Sequence, residues 1–100
     1  LVPALWPLEI SNVLLAAERR RRLTRAQAFQ CLEMLRSLPI VVDESTPSRA
    51  MGEILSLARD QNLSVYDAAY LELSIREALP LATRDRILAA AAKRCGVSLK

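Results

Sequence analysis

Leu38-Pro39-Ile40-Val41-Val42 is the stretch on which the fold class turns. It is a short apolar, β-branched run between two segments of helical periodicity, and such a run reads as a strand buried on both faces. Pro39 cannot donate to a ladder, so it has to sit at the strand's start. Upstream, Ile10, Val13, Leu14 and Ala17 recur at helical spacing after Pro7, a residue suited to the first helical position. That helix runs into Arg19, Arg20, Arg21 and Arg22. Thr24 and Gln27 form a capping box, opening a second helix striped by Ala28, Cys31, Leu32 and Leu35. The two make a helical hairpin with a basic tip.

Downstream, Thr46 and Pro47 start a third helix, supported by Ala50, Ile54, Leu57 and Ala58 and ending near Asn62. Ser64 and Asp67 have the spacing of a cap and its acid, with Ala68, Leu71 and Ile75 continuing the buried face. After Pro80, Leu81-Ala82-Thr83 is long enough only for a short strand. Leu88, Ala91, Ala92 and Cys95 mark a fifth helix closed by Gly96, and Val97-Ser98-Leu99 reads as an edge strand. Residues 1–5 are also strand-like. Short apolar strands alternating with helices predict an α/β domain with a short parallel sheet, because parallel neighbours need helical crossovers.

Composition fits one globular domain over residues 1–100: 52% hydrophobic, 25% charged and only 2 Gly. Aromatics are 4%, so Leu and Ala must fill the core. The longest apolar run, residues 87–92, is far short of the roughly 20 residues that span a bilayer. The net charge is +3, and twelve of the fourteen basic residues are Arg, whose forks match phosphate and carboxylate. With no His, Cys31 and Cys95 cannot build a structural zinc site; they read as buried thiols in a reducing cytoplasm. The missing His also leaves hydrolysis to carboxylates, a metal, or both.

Three acids stand out by position. Glu9 lies in the first turn of helix one and Asp67 in that of helix four, while Asp85 follows the Leu81-Ala82-Thr83 strand at another helix start. In open α/β sheets the functional crevice lies beyond the carboxyl ends of the strands. The competing reading is structural, since an acid in a first turn gains roughly 0.3–1 kcal/mol from the helix dipole. Were the three to converge, their repulsion would call for a hard divalent cation with oxygen ligands. Spacing alone does not establish convergence.

Three blocks carry a resemblance. Pro3-Ala4-Leu5-Trp6-Pro7-Leu8-Glu9-Ile10-Ser11-Asn12 resembles the acid-bearing segment of PIN-domain proteins, and Leu63-Ser64-Val65-Tyr66-Asp67-Ala68-Ala69-Tyr70-Leu71 their S-x-Y-D-A-x-Y block. Leu79-Pro80-Leu81-Ala82-Thr83-Arg84-Asp85 resembles their L-x-T-x-D block. With the strand at residues 38–42 between them, the chain is similar to the VapC-type branch along its whole length. The resemblance implies a PIN-like three-layer α/β fold and a Mg²⁺- or Mn²⁺-dependent ribonuclease, the toxin half of a toxin–antitoxin pair. It implies metal-site and catalytic acids at Glu9, Asp67 and Asp85, supporting polar residues at Asn12, Ser64 and Thr83, and as partners RNA, an antitoxin and a second copy. The family's first strand and its Asp have no counterpart here, so the expectation is an N-terminally truncated domain with little activity alone.

The basic residues stay open between two roles. Arg84 and Arg86, flanking Asp85, either contact substrate phosphates or are solvated helix residues; Arg19 to Arg22 either attract RNA backbone or form the wet tip of the hairpin. Tyr66 and Tyr70 read as packing residues or stacking platforms. Two further readings compete with the nuclease: a non-catalytic PIN-like remnant that binds a partner, and a small DNA-binding protein using the basic hairpin.

Overall fold

Side-chain caps open three of the chain's helices, at Thr24, Ser64 and Asp85, whereas Thr46 lies inside its helix and gives its hydroxyl to Asp43 instead of capping. Thr24 Oγ1 accepts the Gln27 N–H at 3.1 Å and Gln27 Oε1 accepts the Thr24 N–H at 2.9 Å, so both halves of the capping box are made. The computed structural model describes residues 1–100, 64% of them helical. The chain divides into two compact units, Leu1–Val42 and Asp43–Lys100.

In the first unit, α1 (Trp6–Arg19) packs against α2 (Arg25–Arg36) as the expected hairpin. Pro7 is in the first turn of α1 and Glu9 just behind it. The burial is thin: Pro3 and Ala28 are the unit's only fully buried residues, and Val13, Phe29 and Met34 are each more than 60% exposed.

In the second unit, α3 (Thr46–Arg49), a π-helical segment (Ala50–Ile54) and α4 (Leu55–Gln61) run on as one helical rod. Arg49 and Ile54 are five residues apart, which at 3.6 residues per turn would put them about 140° apart. The wider π turn brings both toward α5 (Val65–Glu77), where Arg49 meets Glu72 and Ile54 is buried. Asn62 ends the rod in the left-handed conformation, and Ser64 caps α5. Leu71 of α5, Leu81, and Leu88, Ala91 and Ala92 of α6 (Arg86–Arg94) form the core cluster, which Leu63, Cys95 and Val97 extend.

The expected three-layer α/β fold with its parallel sheet is not present. There are no strands, only two isolated parallel bridges, Val2 with Val42 and Leu81 with Leu99. Proline and local turns explain why. The Ile40 N–H is taken by the Leu38 carbonyl at 2.8 Å, a tight turn centred on Pro39, so residues 38–42 bend instead of extending; Val41 is 59% exposed rather than buried on both faces. The Trp6 N–H donates to the Pro3 carbonyl, turning the chain directly after Val2. Pro80 has no N–H to give, and after Leu81 the Thr83 hydroxyl and Asp85 carboxylate draw the backbone into a helix cap. Each candidate strand therefore keeps one bridge, and Val97-Ser98-Leu99 has only Leu81 to pair with.

Candidate functional site

Unit 2 carries two of the three acids singled out by sequence, each at a helix start. Ser64 Oγ accepts the Asp67 N–H at 3.1 Å, and Thr83 Oγ1 accepts the Asp85 N–H at 3.1 Å. Both hydroxyls thus fix the backbone at an acid. Asp67 is half-buried in the first turn of α5. Asp85 is not a first-turn acid but the N-cap of α6: its Oδ1 accepts the N–H groups of Ile87 at 2.8 Å and Leu88 at 3.0 Å. A carboxylate offers about four lone-pair sites, so this cap leaves acceptor capacity on the group.

Ser74, Ile75 and Ala78 at the end of α5 and Cys95, Gly96 and Val97 at the end of α6 line a single cavity. The two helices therefore finish at the same cavity. Arg84 and Arg86 flank Asp85, exposed and in no ion pair. Each acid stands at the positive end of its own helix dipole, which favours a negative charge there.

Glu9 and Asn12 belong to unit 1, in the first two turns of α1, with Glu9 half-buried and Asn12 exposed. Within neither unit do three or more His, Cys, Asp or Glu side chains gather as a metal-holding group.

No family model, curated protein or solved structure matches this chain.

The most connected polar cluster is one the sequence reading missed. Arg76 of α5 donates from Nη2 to Asp43 Oδ2 at 2.7 Å and from Nε to Glu72 Oε1 at 2.9 Å. Arg49 reaches Glu72 at 3.1 Å, and Thr46 Oγ1 donates to Asp43 Oδ2 at 2.8 Å. Asp43 and Glu72 are 7% and 6% exposed, and no buried side-chain polar atom lacks a partner. The sequence signal was Glu72 four residues before Arg76, the favourable order on a helix, with Glu72 interrupting an apolar stretch. This set clamps residue 43 to α5 with the Asp43 carboxylate accepting four hydrogen bonds and that of Glu72 three, which makes it a structural lock.

The Arg76 hydrogen bond, aided by Thr46, the Ser45 N–H and the guanidinium charge, holds the Asp43 carboxyl down at about 2 from 3.8 against the opposing effect of burial. Hydrogen bonds from Asp43 and then Glu72 hold Arg76 above its already high value. A lowered carboxyl stabilises the fold above its unfolded pKa. Asp43 should therefore contribute about 2 kcal/mol at pH 5 and above, lost as pH falls from about 4 through 2. Urea unfolding at pH 5 and pH 2.5 checks this: D43N should remove that share of the acid-side decline.

Proposed function

We propose that this chain is a metal-dependent endoribonuclease domain of the toxin type, with RNA as substrate and an antitoxin as protein partner. The observation that supports the reading is that Asp67 and Asp85 each stand at a helix start with the backbone N–H held by a preceding hydroxyl, Ser64 or Thr83. The sequence blocks around Glu9, Asp67 and Asp85 supply the rest.

The donor chemistry fits a hard cation. Carboxylates and hydroxyls offer only oxygen, which suits Mg²⁺ or Mn²⁺ and excludes nothing that such an ion requires. Asp67 and Asp85 would hold the ion. Bound there, it would activate water and neutralise charge on a phosphodiester. Around it the chain's own residues have distinct tasks. Ser64 and Thr83 keep the two acids in place, while Arg84 and Arg86 bind the substrate's phosphates. No helix is long and apolar enough to cross a membrane; the site is proposed to work on RNA in the cytoplasm, in a homodimer.

Asp67→Asn tests the reading. In the product of the reading frame that encodes this chain, D67N should reduce Mg²⁺-dependent RNA cleavage to background and shift the melting temperature by less than about 3 °C. Full cleavage by D67N would reject the assignment.

The alternative, a partner-binding module without catalysis, is favoured by one observation. Trp6, Ile10, Leu32, Leu35 and Ile40 line an open groove of about 290 Å³ in unit 1, beside the exposed apolar residues of α1 and α2. Capture of an antitoxin with no cleavage by the wild-type protein would support it.

A further inference from the structure

We propose that the tip of the unit 1 hairpin binds the phosphodiester backbone of RNA. The inference deepens the nuclease reading and rests on it for the choice of RNA. Arg19, Arg20, Arg21, Arg22 and Arg25 are all exposed, none enters an ion pair, and no acid lies among them. Cations in a last helical turn are favoured by the dipole, which accounts for Arg19 and Arg20 without any ligand. It does not account for Arg21.

Arg21 occupies the left-handed region at φ 58°. Its N–H donates to the Glu18 carbonyl and that of Arg22 to the Ala17 carbonyl, the two bonds of a Schellman stop. Glycine is the residue this position favours. The end of α6 makes the same two bonds, from Gly96 to Lys93 and Val97 to Ala92, and there the left-handed residue is glycine, at φ 74°. The other left-handed residues are Asn62, which tolerates the region, and the small Ala78. Only at the hairpin tip does a long cation stand in it, so the chain keeps an arginine where the backbone's steric preference is for glycine. Strain held at one residue amid four like-charged neighbours points to a ligand that rewards the charge.

The ligand's chemistry follows from the side chains. Guanidinium forks match phosphate oxygens in a bidentate manner. The tip residues 19–25 contain no aromatic ring, so no platform for stacking bases is present and the contact is to backbone, independent of sequence.

The test is titration of a labelled single-stranded RNA oligonucleotide with the chain in EDTA at rising KCl. Without divalent metal, binding is read apart from cleavage, so loss of one reading does not imply loss of the other. If all five arginines engage, log K falls against log[KCl] with a slope of about −3.5. R19Q/R20Q/R22Q should bind at least about tenfold more weakly and reduce the slope's magnitude by about 2. R21G should weaken binding and reduce the slope's magnitude by about 0.7, yet raise the melting temperature. An unchanged slope in the triple variant overturns the proposal. So does an equal loss in R59Q/K93Q/K100Q, which removes three charges from unit 2, or a lower melting temperature in R21G.

Discussion

Replacing Arg76 by Met should cost unit 2 about 3 kcal/mol, seen as a lower urea midpoint at pH 7 with an unchanged slope. The size follows from what is left behind. Asp43 and Glu72 are both more than 90% buried, and Arg76 is the side chain that pairs with both. Deleting one partner of a buried ion pair strands the other charge, which costs more than the pair itself contributes. Here two carboxylates would face each other with only Arg49 remaining on Glu72. Arg49 is itself one-third exposed, so solvent screens it and R49A should cost less than about 1 kcal/mol. Replacing Asp43, Glu72 and Arg76 together by apolar residues of similar volume should recover most of the loss, because no desolvated charge would remain. A fall below 1 kcal/mol in R76M would show that the cluster does not lock the unit.

The second large effect separates capping from chemistry at Asp85. Asp85→Asn retains a side-chain oxygen for the N–H groups of Ile87 and Leu88, and Asn caps helices about as well as Asp. Asp85→Ala removes the acceptor and should cost about 1 kcal/mol of stability. If Asp85 serves only as a cap, D85N behaves as wild type in every assay. On the proposed function, D85N abolishes Mg²⁺-dependent RNA cleavage with the melting temperature preserved, since the amide has lost the charge that a hard cation requires. The two variants then part: one loses activity alone, the other both. Cleavage by D85N at the wild-type rate would exclude Asp85 from the chemistry.

The helices were legible because their signals are local. The Thr24–Gln27 box, the stop at Asn62, the Ser64 cap and the Gly96 close each involve residues within a few positions of one another. The strands misled for the converse reason. Leu38-Pro39-Ile40-Val41-Val42 has the composition of a strand, but a strand exists only through long-range pairing, and the Pro39 turn consumes the Ile40 amide that pairing would need. The candidate site was half legible. The positions of Asp67 and Asp85 at helix starts could be read directly, whereas the part of Asp85 as N-cap of α6, accepting two backbone N–H groups, depends on the residue at which the helix begins. Asp43 is 33 residues from Arg76, a separation at which spacing carries no signal.

That separation also bears on the order of folding. Bringing residues 43 and 76 together closes a long loop at an entropic cost of about 3 kcal/mol beyond the initiation term, whereas each helical bond closes a short one. The clamp is thus expected to form late, once the helical rod and α5 have docked. Its energy then resides mostly in the barrier to unfolding: without Arg76 the unit would assemble at nearly its usual rate and come apart much faster.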